Sequence, residues 1–239
     1  GISNQLEALI TAAMAGQGEA ELAAIKVQHL ALAAELELEG EAVLAPFLAE
    51  LTQLRAGLAL TGDASPRSRA RIMAQGELMA TSLSAAWLNQ TGLACQWLDA
   101  RDLLTSRSGG PVSGYLGADC GYAPDPALQD RLQGPAFDIV LTQGFIARRP
   151  DGDTALLGRG GSDTSAAYFA ARLGAQRLEI WTDVPGFFSA DPRLTGAARQ
   201  IRALSYDEAQ EIASMGGSVL HPRAIAPVRQ AGIEMQVLC

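Results

Sequence analysis

The chain has 239 residues, a formal charge of −8 and 48% hydrophobic residues, enough for one large α/β domain with a full core. The acidic balance argues against nucleic acid or an anionic membrane as a partner, because no basic stretch offsets it; the densest cluster, Arg67, Arg69 and Arg71, reads as a solvated helix face. Cys95, Cys120 and Cys239 are odd in number and far apart, which argues against a disulfide framework and for a reducing cytoplasm.

Neither a signal peptide nor a membrane span is read from the sequence: apolar runs such as 30–34 are interrupted by Glu35 and Glu37. Apolar Leu6, Leu9, Ile10 and Ala13 recur at helical spacing and predict a helix from Ser3 to about Ala15, ended by Gly16-Gln17-Gly18. Further helices are expected over 19–37 and 41–60. Ser65-Pro66 reads as an N-cap and first helical residue of a helix reaching about Asn89. Gly76 within it weakens the helix and calls for a packing or ligand reason. Glu77 follows among apolar residues, and on sequence alone it fits a solvated position as well as a binding one.

A strand over 94–98 precedes a short helix over 99–104. The glycine- and serine-rich stretch 105–123 should be irregular, as in a surface flap. A short helix over 126–132 is followed by a buried-type strand over 137–142, with Gly144 allowing close approach of a ligand. Residues 145–148 and 154–157 read as a hairpin about Asp151-Gly152. Ser205 to Glu208 is a capping box opening a helix to about Met215, stopped by Gly216-Gly217. A helix from Pro222 to about Gln230 and a strand over 233–238 close the chain. Alternating strands and helices favour a mainly parallel sheet with helices on both faces, and no repeat or linker divides the chain.

The hairpin leads into Leu157-Gly158-Arg159-Gly160-Gly161-Ser162-Asp163, a glycine-rich turn ahead of an alanine-rich helix. Its main-chain N–H groups can approach an anion at the positive end of a helix dipole, with Ser162 a good N-cap. Arg159 adds a planar fork for a carboxylate or phosphate, and Asp163 suits an ammonium group or a metal-phosphate complex. Such a turn alone is most often a plain connection. Downstream, the strand 177–181 ends in Thr182-Asp183 and a Pro185-Gly186 turn, which places polar groups where open α/β sheets bind ligands. No zinc spacing is present, and His29 and His221, each standing alone, read as packing or hydrogen-bonding residues.

Those two motifs, with Gly76-Glu77-Leu78-Met79 and Val219-Leu220-His221-Pro222, closely resemble the kinase domain of the aspartate kinases, in the amino-acid kinase superfamily. The likeness runs from Gly1 to about Val237 and is most specific at Arg159 to Asp163. It implies a three-layer αβα sandwich with a mainly parallel central sheet, of the amino-acid kinase or carbamate kinase type. The chain enters a helix at once, so the first strand is expected to be missing and the domain, 1–239, to be truncated at both ends.

The resemblance also implies an activity: transfer of the γ-phosphoryl of ATP to the side-chain carboxylate of L-aspartate, giving 4-phospho-L-aspartate and ADP, with Mg²⁺ on the phosphates and no dedicated protein metal ligands. Arg159 would pair with the substrate α-carboxylate, helped by Gly160, Gly161 and Ser162. Glu77 and Asp163 would hold its ammonium, and Ser3 stands where the family carries threonine. Thr182 and Asp183 would contact the adenosine part, with Phe188 in place of a tyrosine; Arg193 would reach the phosphates. Ser218, in place of a lysine, and Val219 would flank the nucleotide. The family's Lys-Phe-Gly-Gly-Thr-Ser segment is missing ahead of Gly1, so the fragment alone is expected not to complete catalysis. Full-length members are expected to form homo-oligomers. The alternatives are another amino-acid kinase of glutamate type and a non-catalytic nucleotide-binding module.

Overall fold

The computed structural model describes residues 1–107, 109–132, 136–184, 186–190, 194–215 and 219–239. The chain divides into two compact units, one formed by 1–120 with 132–158 and the other by 121–131 with 159–239.

The first unit is led by four helices, α1 (Ile2–Met14), α2 (Glu19–Glu35), α3 (Gly40–Thr61) and α4 (Pro66–Gln90). The helical spacing read in α1 buries Leu6, Leu9, Ile10 and Ala13. In α4 the Ser65 hydroxyl accepts a hydrogen bond from the Ser68 N–H at 3.1 Å, with proline next in the first turn, as expected of that pair. By length and composition α3 is apolar enough to cross a bilayer, which the sequence reading passed over. Within this unit it packs on α1, α2 and α4, burying Leu44, Leu51 and Leu58.

Gly76 owes its place to packing. A Cβ there would stand 3.1 Å from Leu6 Cδ1 and 3.3 Å from Ile2 Cγ2, so α4 and α1 approach too closely for a larger side chain.

Strand β1 (Cys95–Trp97) leads to a 3₁₀ turn, Ala100–Asp102, where a longer helix was expected. The 105–123 stretch is largely irregular, with one helical turn, α5 (Ser113–Leu116). Strand β2 (Ile139–Leu141) pairs in parallel with β1, Cys95 opposite Ile139 and Trp97 opposite Leu141. It is half-buried rather than fully buried, since β1 is its one partner among the described strands. Strands β3 (Ile146–Arg148) and β4 (Thr154–Leu156) form the expected antiparallel hairpin, burying Ile146, Ala147, Ala155 and Leu156.

The second unit contains α6 (Pro126–Leu132), α7 (Gly161–Leu173), β5 (Arg177–Trp181), α8 (Tyr206–Ser214), α9 (Ile225–Ala231) and β6 (Glu234–Leu238). Strands β5 and β6 run in parallel, from Arg177 opposite Glu234 to Trp181 opposite Leu238. Leu178 and Ile180 pack with Ala167 and Ala170 of α7, Ala209 and Ala213 of α8, and Ile225 and Val228 of α9. The alanines keep these helices close to the sheet. Ser205 makes the expected capping box with Glu208, and Gly232 ends α9 in the left-handed conformation. The expected helix from Pro222 is split, because Pro222–Ala224 is a 3₁₀ turn and α9 begins at Ile225. The Gly216-Gly217 stop lies outside the described residues.

Gly76→Val should destabilise the first unit by about 1–3 kcal/mol through overpacking against Leu6 and Ile2. Gly76→Ala should be close to neutral, since the helix propensity gained, about 1 kcal/mol, offsets a contact that flexible methyl ends can relieve. Urea unfolding followed by circular dichroism checks both.

Candidate functional site

The glycine-rich turn enters α7 through Gly160, at φ 62° and ψ 23° in the left-handed region, and Gly161 is the first helical residue. Ser162, expected as the N-cap, instead lies inside the first turn. Gly160 takes the cap position because it alone accepts that conformation without a Cβ penalty. The turn is locked by Thr164, whose N–H and Oγ1 both donate to the Gly160 carbonyl, at 2.9 and 2.7 Å. The Ser165 hydroxyl donates to the Ser162 carbonyl at 2.8 Å.

No side chain caps the start of α7, so its leading N–H groups are left for water or a ligand. Arg159 is exposed and pairs with no described carboxylate. Asp163, in the first turn, is half-buried. Burial raises its carboxyl above the usual range, while the charge of His221 and a hydrogen bond from the His221 main-chain N–H pull the other way. Behind the turn, α7 is held by the Tyr122 ring stacked on Tyr168, centroids 5.8 Å apart, and by an ion pair between Arg172 and Asp125.

Glu77 belongs to the first unit. Burial alone raises its carboxyl, and no described cation pairs with it. One turn on, Thr81 Oγ1 donates to the Glu77 carbonyl at 2.8 Å and accepts from Trp97 Nε1 at 3.0 Å and Gln143 Nε2 at 2.8 Å. Gln143 is 1% exposed, and its Oε1 accepts from the Ala100 N–H at 2.8 Å. This network ties the Glu77 turn of α4 to the carboxyl ends of β1 and β2. Sequence reading missed Thr81 and Gln143; the signal was a polar Thr142-Gln143-Gly144 at the end of an apolar strand. The left-handed residue that follows is Phe145, φ 69°, rather than Gly144. Ser3 is exposed on α1; its neighbour Ile2 packs against Gly76, next to Glu77.

In the second unit, Thr182 and Asp183 end β5 as expected. The Thr182 N–H donates to the Leu238 carbonyl at 2.9 Å and its hydroxyl to Asp183 Oδ1 at 3.2 Å, leaving Asp183 exposed. Phe188 bridges to Gln200, and Val219 precedes the buried Leu220. Arg193 and Ser218 lie outside the described residues. A cavity of about 540 Å³ lies along β6, walled by Phe187, Leu204, Tyr206, Leu220, Ile225 and Leu238. It adjoins Phe188 and Val219 in sequence, but neither they nor Thr182 and Asp183 line it.

Comparison with known proteins gives the family. The model of the amino acid kinase family matches residues 6–239. The chain is 38% identical over 202 residues to the bifunctional aspartokinase/homoserine dehydrogenase 2 of Escherichia coli K12, covering 84% of this chain and 24% of that protein. It is 34% identical over 239 residues to the lysine-sensitive aspartokinase 3 of the same organism, covering 99% and 52%. The chain thus spans about half or less of these two relatives. Among solved structures, E. coli aspartokinase III in complex with aspartate and ADP superposes with a TM-score of 0.85 at 33% identity, over 99% of this chain and 52% of that one. The aspartate kinase of Clostridium acetobutylicum, 22% identical, shares the fold with a TM-score of 0.72 over 100% of this chain and 48% of that one. The mixed α/β architecture is therefore that of the amino acid kinases.

Burial makes Glu77 costly to ionise, and this sets a sign. Its folded-state pKa lies above the unfolded value, so its contribution to stability falls as pH rises through that interval. Glu77→Gln should therefore gain stability relative to the parent as the pH rises, with the gap opening from the ordinary glutamate range at about pH 4 upward. Urea midpoints measured across that range check it.

Proposed function

Because the chain belongs to the amino acid kinase family, we propose that it is the catalytic domain of an aspartokinase, phosphorylating the side-chain carboxylate of L-aspartate with ATP. The observation that carries this reading is the Arg159–Asp163 turn: an exposed guanidinium with no described acidic partner, on a left-handed glycine, at the uncapped start of a helix.

The roles follow from chemistry. Arg159 binds the α-carboxylate through two parallel hydrogen bonds, and the N–H groups of Gly161 and Ser162 add main-chain donors at the positive end of α7. Glu77 supplies the negative charge that an ammonium needs; its desolvated state strengthens that attraction. Ser3, on the helix that packs against Gly76, offers a hydroxyl beside it. Fixing both charged groups on the α-carbon leaves the side-chain carboxylate free to meet the terminal phosphate. A carboxylate oxygen attacks γ-phosphorus, the bond to the β–γ bridging oxygen breaks, and ADP leaves with the electron pair. The attacking group is already anionic, so no base is required.

Thr182 and Asp183, at the carboxyl end of β5, take the adenosine part, flanked by Phe188 and Val219; Arg193 and Ser218 are assigned to the nucleotide by resemblance alone. A Mg²⁺ accompanying the nucleotide would supply neutralisation of phosphate charge. The Lys-Phe-Gly-Gly-Thr-Ser segment belongs to the same proposal, as the source of a phosphate-directed lysine. Homo-oligomer formation in the full-length protein is part of it too.

The test is acyl-phosphate formation, trapped as the hydroxamate, with ATP, Mg²⁺ and either L-aspartate or L-glutamate, on this chain with the lysine-bearing segment joined ahead of Gly1. Product with aspartate and not glutamate is expected; ATP binding without product favours a regulatory module. Arg159→Lys should lower kcat/KM for aspartate by about 100-fold or more, because an ammonium cannot reproduce the bidentate fork.

A further inference from the structure

His221 read as a packing residue from sequence, yet the structure sets it against the centre of the turn. A Cβ built on Gly160 would fall 2.2 Å from His221 Cβ, 2.4 Å from Cγ and 2.8 Å from Cδ2, so the residue is in direct contact with the Gly160 main chain. Its own main-chain N–H donates to the Asp163 carboxylate. On its other side, Nδ1 accepts from the Arg223 N–H at 3.3 Å, which makes His221 the N-cap of the 3₁₀ turn Pro222–Ala224. Ala224 and Ile225, just beyond, are fully buried. One residue thus couples the glycine turn, the first turn of α7 and the core of the second unit.

We propose that His221 is a positioning residue: packed against Gly160 and bonded to Asp163, it holds the Arg159–Asp163 turn in the conformation that receives the substrate α-carboxylate. This rests on the aspartokinase reading for the identity of that substrate, and on geometry alone for the positioning. A glycine turn is conformationally free, and the His221 contacts to Gly160 and Asp163 add to the Thr164 bonds in removing that freedom. Acceptance at Nδ1 requires a neutral imidazole with its proton on Nε2. Burial lowers its pKa, the charges of Arg223 and Arg159 act in the same direction, and Asp163 opposes them.

Two measurements on this chain separate the positioning from the substrate assignment. Hydrogen exchange of the 160–164 amides needs no ligand. His221→Ala should speed it about tenfold relative to the parent, with the α1–α4 amides unchanged, whereas His221→Asn, whose amide oxygen can still cap the 3₁₀ turn and whose planar group still covers Gly160, should stay near the parent. Equal exchange in all three proteins overturns the proposal. On the chain carrying the lysine-bearing segment, the KM for aspartate should rise about tenfold in His221→Ala, with kcat and the KM for ATP little changed, and should be restored in His221→Asn. Equal losses in kcat and in both KM values, or no rescue by asparagine, indicate general loosening and overturn it as well. Faster exchange in the alanine variant, together with a parent that neither binds nor phosphorylates aspartate, upholds the positioning and overturns the aspartokinase reading.

Discussion

The left-handed backbone at Gly160 is the constraint on which the candidate site depends. An L-residue would pay about 1–2 kcal/mol to adopt it, and here a side chain would also strike His221. With that conformation in place, the chain enters α7 through a left-handed residue. Arg159 is left on the outside of the turn, the first N–H groups of α7 are left without a side-chain cap, and Asp163 is turned toward the His221 amide. A serine or aspartate at position 160 would have capped the helix and filled the space that an anion needs. Thr164 then does from within the helix what an N-cap normally does from outside, since both its donors bond to the Gly160 carbonyl. The helix start is stabilised without obstructing its mouth.

Much of this was legible in the sequence, for reasons that differ by element. Helices α1 and α4 declared themselves through apolar spacing and the Ser65-Pro66 start, the β3–β4 hairpin through Asp151-Gly152, and α8 through its capping box. In each case the signal and the structure it specifies lie within a few residues of one another. The misplaced cap at Ser162 shows where local propensity loses. Serine is a good cap, but the preceding glycine reaches a conformation that serine avoids. The Thr81–Gln143 bond joins residues 62 apart in the chain, so no local pattern announces it. His221 looked inert because its contacts are with a glycine 61 residues earlier; its main-chain hydrogen bond to Asp163 and the steric contact at Gly160 become visible only in three dimensions.

Gly76 was the most ambiguous of the sequence signals, and its resolution bears on Glu77. The glycine lets α1 and α4 come into close contact one residue before the half-buried Glu77. A packing explanation for one residue and a ligand explanation for the next are therefore not rivals. Close helix approach explains the glycine, and desolvation raises the neighbouring carboxyl. The Thr81, Trp97 and Gln143 hydrogen bonds then hold that turn at the ends of β1 and β2, where an open α/β sheet presents its binding groups.

The two desolvated acids differ in a way that separates their roles. Asp163 has an internal donor, the His221 amide, so part of its ionisation cost is met by the fold itself. For Glu77 burial is the sole cause of the shift, and no donor or cation among the described residues offsets it. A chain already at −8 has no electrostatic reason to bury another carboxylate for stability. A buried acid with a built-in donor is a structural element that can also face a ligand. A half-buried acid with no partner among the described residues suits, in the proposed reading, an ammonium group that supplies both charge and hydrogen bonds. Under the proposed aspartokinase reading, Glu77, more than Asp163, would be the group that selects an amino acid over a simple dicarboxylate, while Arg159, exposed and inexpensive to keep charged, would bind the carboxylate end that both share.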